Sequence, residues 1–129
     1  MSKKAIVTAF NDNFKKLAGN LHLLIPENEK IETLKNVIHL GALAKPELYI
    51  KNFYEHITVP YKEQLDKKDD DFFLNLDLST INIELVQDNM EDAKFLREKW
   101  SSFTQDQQKL LWQYMTVLQK LSERYAGLT

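Results

Sequence analysis

The sequence predicts an all-α protein, a compact single-domain bundle of five to six helices over residues 1–129. Apolar residues recur at spacings of three and four along most of the chain, which is the period of an amphipathic helix. Prolines and capping residues divide this pattern into segments joined by short loops. A chain of 129 residues has the length of one domain with its own core, and no internal repeat interrupts it.

The first two segments predict two long helices. The apolar residues of Ile6–Leu24 share one narrow arc, and Pro26 disfavours helical geometry in the residue before it, so the first helix should end near Ile25. A second helix is expected over Glu27–Ala44, in which Gly41 either permits close approach of another helix or marks fraying. The expected inner residues are Ile6, Phe10, Phe14, Leu17, Leu21 and Leu24 in the first helix, and Ile31, Leu34, Val37 and Ile38 in the second.

The middle of the chain predicts shorter elements. Pro46 suits the first turn of a third helix, because an N–H at that position would have no partner in the helix anyway. Pro60 should open a short turn or helix that runs to Asp66. Residues 69–78 should form an extended connector or a short helix, because their alternating leucines suggest a strand but no partner strand is predicted. The third helix is expected to place Tyr49, Ile50, Phe53 and Ile57 inside.

The last third of the chain predicts two further long helices. The fourth is expected over Ile81–Ser102, after a hydroxyl cap at position 79 or 80. Thr104 and Gln107 have the spacing of a capping box and should start the fifth helix, which runs to Ala126 and stops at Gly127. The expected inner residues are Ile83, Val86, Met90, Ala93, Leu96 and Trp100 in the fourth helix, and Leu111, Tyr114, Leu118, Leu121 and Tyr125 in the fifth.

Composition excludes several classes of protein. The chain is 43% hydrophobic and 28% charged, which excludes wholesale disorder. It has no cysteine, so disulfides, thiol catalysis and cysteine metal sites are excluded. No apolar run approaches the roughly 18 residues of a membrane span, and the run after Lys3 and Lys4 is too short for a signal peptide. An intracellular protein without a transmembrane segment is therefore expected.

No residue pattern supports catalysis, a cofactor or a metal. His22, His39 and His56 are far apart in sequence and form no helical ligand pair. The acidic run Asp66–Asp77 lacks the central glycine and final glutamate of a calcium loop, and the carboxylates of 84–92 fit a solvated helix face. No nucleophile elbow or glycine-rich phosphate loop occurs. The sequence thus predicts a non-enzyme, with no catalytic, cofactor-binding or metal-ligating residue.

Large aromatic residues outside the predicted inner stripes are the more informative feature. Trp112 lies beyond the edge of the apolar arc of the last helix, and Phe95 points away from the stripe of the fourth. Such residues either pack on a third neighbouring helix or form a patch that binds a partner. We expect a non-enzymatic helical interaction or structural protein that binds a protein partner or self-associates. The candidate partner-binding residues are Phe72, Phe73, Phe95 and Trp112.

A nucleic-acid-associated accessory protein is the alternative. Lysines occur in isolated pairs at 3–4, 15–16 and 67–68, and the last helix is rich in amides. However, Lys109 is the only basic residue over 105–119, whereas a recognition helix carries clustered basic residues. The net charge of −2 is also too balanced for electrostatics alone to drive binding to nucleic acid, which argues against such a partner.

Two blocks of residues resemble small uncharacterised helical proteins of giant viruses, the nucleocytoplasmic large DNA viruses. The resemblance covers 27–121 and implies an all-helical viral product in the host cytoplasm or the virion, with no assigned catalytic residue. The first block is Phe53-x-x-x-Ile57-x-x-Pro60-Tyr61 with Leu65-x-x-Lys68-Asp69-x-x-Phe72-Phe73-Leu74, and the second is Trp100-x-x-Phe103-Thr104 with Leu111-Trp112-x-Tyr114-Met115-x-x-Leu118.

Overall fold

The computed structural model describes residues 2–24, 29–74 and 98–128, with the backbone alone for residues 29–34 and 73. Of the described residues 87% are helical and none lies in a strand, and the chain is compact, which confirms the predicted helical class. The elements are α1 (Lys3–Leu24), α2 (Glu29–Ala44), α3 (Leu48–Phe53), a π-helical turn (Tyr54–Thr58), α4 (Lys62–Lys67), α5 (Asp71–Leu74), a 3-10 turn (Trp100–Ser102) and α6 (Gln105–Leu128).

Helix α1 packs along both α2 and α6 and so organises the described part of the fold. Its first turn is capped by Ser2, whose Oγ accepts a hydrogen bond from the Ala5 N–H at 3.1 Å. Ile6 and Phe10 are buried as predicted, but Phe14 is only half-buried. The buried arc is wider than the predicted stripe because α1 has a neighbour on each side. Its buried residues are Ile6, Val7, Phe10, Asn11 and Ala18.

The core consists of two hydrophobic clusters that share Leu17 and Phe53 at their margins. One joins α1, α2, α3 and the C-terminal half of α6, and contains Ile6, Val7, Phe10, Ala18, Ile38, Tyr49, Ile50, Leu118 and Tyr125. The other joins the π turn, α4, α5, the 3-10 turn and the first half of α6, and contains Ile57, Leu65, Phe72, Trp100, Leu111, Trp112 and Met115.

Helix α2 packs against α3 through a close contact between Gly41 and Tyr49 that requires glycine. The Tyr49 hydroxyl donates a hydrogen bond to the Val37 carbonyl at 3.2 Å, which brings the ring against Gly41. A Cβ at position 41 would lie 2.9 Å from Tyr49 Cζ, closer than side chains pack. Of the two interpretations of Gly41, close approach is therefore confirmed. The predicted inner residues Tyr49, Ile50 and Ile57 are also buried.

The π turn after α3 is joined to α6 by a pair of buried hydroxyls. Thr58 Oγ1 and Ser122 Oγ lie 2.7 Å apart, and Ser122 Oγ also donates to the Gln119 carbonyl oxygen at 2.8 Å. Since Ser122 uses its hydrogen on that carbonyl, Thr58 is the donor between the two hydroxyls. Each buried hydroxyl therefore has a partner.

Two element boundaries differ from the prediction. The third helix begins at Leu48, two residues after Pro46, because Lys45–Glu47 forms a turn in which the Lys45 carbonyl accepts from the Leu48 N–H. Helix α6 continues through Gly127 to Leu128, so Gly127 is not the stop that the sequence suggested. No glycine in the described residues has the positive φ of a helix-ending cap.

Other predicted elements are confirmed as far as the structure describes them. The capping box of α6 is present: Thr104 Oγ1 accepts from the Gln107 N–H at 3.1 Å, and Gln107 Oε1 accepts from the Thr104 N–H at 2.8 Å. The turn after Pro60 leads into α4, and α5 is the short helix expected within 69–78. Most of the predicted fourth helix lies outside the described residues, and Trp100–Ser102 is a 3-10 turn.

Gly41→Ala should lower the free energy of unfolding by about 1–3 kcal/mol, because the new methyl group overlaps the Tyr49 ring. The matched control is Gly19→Ala in α1, where the nearest atom is Lys35 Cε at 4.0 Å. That substitution should stabilise the protein by about 0.5–1 kcal/mol, because alanine favours the helix. Urea unfolding followed by circular dichroism measures both. A Gly41→Ala protein as stable as the wild type would contradict the close contact.

Candidate functional site

The structure places two of the four candidate partner-binding residues in the core. Phe72 is 1% exposed and Trp112 is 7% exposed, so neither presents a contact surface to another molecule in this conformation. The side chain of Phe73 and the whole of Phe95 lie outside the described residues. For Phe72 and Trp112 the assignment to a partner surface is corrected: of the two interpretations of an off-stripe aromatic, packing on further elements is the one observed.

Trp112 is buried because α6 packs on two adjoining faces. One face meets α1 and α3, and the other meets the π turn, α4 and α5. On the second face the Trp112 indole N–H donates to Asp70 Oδ1 at 2.9 Å, and its ring lies 6.1 Å from that of Phe72. Tyr61 packs edge-on against Phe72, with ring centroids 5.3 Å apart. These contacts join α5 to the first half of α6.

Three of the glutamines of α6 that suggested recognition of nucleic-acid bases form hydrogen bonds within the chain. Gln107 completes the capping box, and Gln108 Nε2 donates to the Trp100 carbonyl at 2.8 Å. Gln119 is buried, and its Nε2 donates to Asp66 Oδ1 at 2.7 Å and to Glu123 Oε1 at 3.0 Å. These three amides are thereby engaged within the chain.

The carboxylates around Gln119 form a surface network with Lys62. Its Nζ lies 3.4 Å from Asp66 Oδ2 and 3.5 Å from Glu123 Oε1. The hydrogen bond from Gln119 and then the Lys62 ammonium lower the pKa of Asp66. The hydrogen bond with Asp66 and the charge of Glu123 raise the pKa of Lys62. All of these partners lie within one chain, so the network ties α4 to α6.

A groove between α1 and the corner of α2 and α3 is the candidate binding site. It is open to solvent and has a volume of about 560 Å³. One wall is the exposed side of α1 from Lys3 to Lys15, and the other runs from His39 to Glu47. Its floor is apolar, with Val7 and Pro46 among the lining residues. We call it the N-terminal groove.

Charges on the groove rim are only partly balanced. Lys3 Nζ lies 3.1 Å from Glu47 Oε1, and Lys51 Nζ lies 3.7 Å from Glu47 Oε2, so two lysines share one carboxylate. Lys15 Nζ lies 3.7 Å from Asp12 Oδ1. Lys4 has no ion-pair partner among the residues that the structure describes. The rim therefore carries an excess of positive charge.

Two exposed leucines stand beside this groove on α2. Leu40 is 62% exposed and Leu43 is 70% exposed, and a spacing of three residues places them one above the other on the helix. Both lie on the side of α2 opposite the fully buried Ile38. We call this pair the α2 ridge. Leu43 also lines the groove, so the two features form one surface.

Asn11 anchors the base of the groove and was missed by sequence reasoning. It is 6% exposed, and its Nδ2 donates to the Pro46 carbonyl at 2.9 Å, which joins α1 to the turn before α3. Its Oδ1 is buried and accepts no hydrogen bond from the residues that the structure describes. The available signal was its position four residues after Val7 and seven before Ala18, on one side of the helix.

The far end of the groove meets the C-terminal half of α6. Lys3 Nζ lies 5.4 Å above the centre of the Tyr125 ring. The hydrogen bond from Lys3 lowers the pKa of Glu47, whereas burial, and then the nearby Glu47 carboxylate, raises the pKa of Tyr125. The first turn of α1 and the start of α3 are thus held against the end of α6.

In the described ranges the three histidines lie apart from one another. His39 Nδ1 lies 3.5 Å from Lys15 Nζ on the groove rim, and His56 lies on the π turn. His22 Nδ1 is buried and has no hydrogen-bond partner among the described residues. Within the described ranges no group of three or more histidine or acidic side chains could hold a metal ion. Glu84, Asp88 and the other carboxylates predicted to share a helix face lie outside those ranges.

Trp112→Phe should lower the free energy of unfolding by about 1–3 kcal/mol, because it removes the hydrogen bond to the Asp70 carboxylate and leaves the cluster underpacked. Val117→Ala, at an exposed position on the same helix, is the matched control and should change it by no more than about 0.5 kcal/mol. Guanidinium unfolding measures both. Equal stability of the two variants would show that Trp112 does not serve as a core residue.

Stability should fall in acid partly through Asp66. The pKa of Asp66 in the folded state lies below the ordinary 3.8. Asp66 therefore contributes fully to the free energy of unfolding above pH 3.8, and this contribution is lost as the pH falls through the lowered pKa. Asp66→Asn should therefore flatten the fall in unfolding free energy between about pH 4 and pH 2. Val59→Ala, at an exposed position after the π turn that carries no titratable group, is the control and should leave the wild-type slope. An unchanged slope in Asp66→Asn would contradict the pairing with Gln119.

Similarity to known proteins gives no further guide to these surfaces. Comparison of the chain with protein-family models, with curated proteins and with solved structures found no match. In the part of the chain that the structure describes, no helix combines the length and apolar character needed to cross a membrane. The chain's own residues therefore carry the functional conclusion.

Proposed function

We propose that the protein is a non-enzymatic helical interaction protein that self-associates through the surface formed by the α2 ridge and the N-terminal groove. In this proposal residues 1–129 form a single-domain bundle of five to six helices. The observation that carries it is the exposure of Leu40 and Leu43, at 62% and 70%, beside an apolar groove. An intracellular location and a giant-virus origin, which the sequence suggested, belong to the same proposal.

The exposed leucines support contact with another protein chain. Removing a leucine side chain from water is worth about 1.5–3 kcal/mol, so two leucines on one ridge supply a useful contact if a partner covers them. Contiguous apolar surface of this kind marks interaction sites in proteins. The two leucines lie on α2, which is fixed to the rest of the fold by the Tyr49 hydrogen bond and by the buried Ile38. A partner could therefore bind them without a change in the folded structure.

The groove has features of a binding surface. Its two acidic residues, Asp12 and Glu47, are each close to a lysine, as in structural ion pairs. The apolar floor between these charges suits side chains of a partner. Protein contact thus accounts for both the ridge and the groove with one role.

The alternative, a nucleic-acid-associated accessory protein, has less support from the described residues. Three glutamines of α6 are engaged within the chain, as described above, and Lys67 lies 2.8 Å from Glu63. The lysines of the N-terminal groove remain the best candidates for phosphate contacts. Retention on single- or double-stranded DNA at physiological salt would favour this alternative.

The proposal is tested by light scattering across a range of protein concentrations. The wild-type mass should rise above 15.2 kDa with concentration, and Leu40→Lys with Leu43→Lys should return it to the single-chain value. Val59→Lys with Val117→Lys places the same charges at exposed apolar positions elsewhere and should leave association unchanged.

Two outcomes contradict the proposal. One is a wild-type mass that stays at 15.2 kDa at every concentration. The other is association that survives in the leucine variant. Circular dichroism of each variant establishes that a lost association does not result from unfolding.

A further inference from the structure

We infer that His39 makes the self-association of this chain sensitive to pH: copies associate while its imidazole is neutral and separate when it is protonated. The inference rests on the proposed self-association and adds a control over it. It requires that a second copy covers the α2 ridge and the N-terminal groove, and it holds whichever part of that copy lies there.

His39 lies within the proposed association surface. It is exposed, and it lines the groove together with Ala42 and Leu43. At about 100° per residue, His39 projects from α2 between the directions of Ala42 and Leu43, and about 40° from Leu43. A second copy that covers Leu43 and the groove therefore also covers the imidazole.

The contact of His39 with α1 suits a neutral imidazole. Lys15 Nζ lies 3.5 Å from His39 Nδ1. Because an ammonium group can only donate, Nδ1 is the acceptor in this contact and the ring hydrogen is on Nε2. A protonated imidazole has a hydrogen on both ring nitrogens, so it would face the Lys15 ammonium as a second cation.

The charges around His39 oppose a further positive charge. Three lysines and two carboxylates line the groove, so its net charge is +1 with a neutral imidazole and +2 with a protonated one. Both carboxylates are already close to lysines, which leaves neither free to neutralise an imidazolium. In the described residues the charged and titratable groups around His39 are Asp12 and Lys15 on α1, Lys35 on the preceding turn of α2, Lys3, Lys4 and Glu47 along the groove, and Tyr49 of α3, which packs on Gly41.

Covering His39 links association to the release of a proton. A charged side chain that loses its water without gaining a counter-ion is far more costly to bury than a neutral one. The covered surface therefore favours the neutral imidazole, and by linkage protonation favours the separate chains. Imidazole is the side chain that changes charge between about pH 5 and pH 8, so association should strengthen as the pH rises through this range.

Light scattering at about pH 8 and about pH 6 tests the inference. The association constant of the wild type should be lower at the acidic pH by about fourfold or more, because the imidazole must first release its proton. Net charge alone predicts the opposite change. Protonation of the three histidines brings the net charge of −2 towards zero, and a net charge near zero promotes association.

Two substitutions at position 39 make the test specific to this imidazole. His39→Gln keeps a side chain that can accept from Lys15 but takes up no proton, so it should associate equally well at both pH values. His39→Lys carries a charge at both and should associate weakly at both. The matched control is His56→Gln on the π turn, outside the groove lining, which should keep the wild-type difference. Circular dichroism at each pH checks that every variant is folded.

The outcomes separate this inference from the proposed function. If the wild type associates and Leu40→Lys with Leu43→Lys prevents it, but association is as strong at the acidic pH, the role of His39 is wrong and self-association stands. A pH difference that persists in His39→Gln, or a His39→Lys protein that associates like the wild type at about pH 8, would also overturn that role. A wild-type protein that associates at neither pH contradicts both.

Discussion

The structure depends on the burial of α6 along two adjoining faces. The face toward α1 contains the buried Leu118 and one hydrogen bond, from Asn20 to the Tyr114 hydroxyl, whereas the face toward the π turn and α4 includes the buried polar residues Gln119 and Ser122. Buried polar groups must be hydrogen-bonded, and their partners come from Asp66 and Thr58. The short elements between α3 and α5 are therefore positioned by the polar residues of one long helix as much as by apolar packing.

Helical periodicity predicted the three long helices that the structure describes, α1, α2 and α6, because apolar residues recur along each at helical spacing. The Thr104 capping box could be read from the sequence because its bonds join residues three apart. Trp112 could not be placed in this way, since a helical wheel assumes one core direction and its indole partner, Asp70, is 42 residues away. Asn11 was missed for a related reason, because its partner Pro46 is 35 residues away.

The N-terminal groove could not be predicted either, because the residues that form it are far apart in sequence. Its two walls come from the N-terminal part of α1 and from the segment between His39 and Glu47, which are far apart in sequence. Only the folded chain shows that Lys3 reaches the Glu47 carboxylate, which Lys51 also contacts from four residues away. The exposed leucines could not be recognised either, because periodicity does not say which apolar residues remain outside once neighbouring helices have packed.

The hydroxyl pair of Thr58 and Ser122 also restricts movement of α6 along its own axis. If α6 slid by one turn, the buried Thr58 hydroxyl would lose its Ser122 partner, at a cost of about 1–3 kcal/mol, whereas Ser122 would keep its bond to the Gln119 carbonyl of the same helix. This contact, which lies between Trp112 and Tyr125 in the sequence, therefore fixes the position of α6 along its own axis. A fixed register keeps Trp112 beside Asp70 and Tyr125 beside Lys3 at the same time, so the two clusters of the core cannot shift independently along this helix.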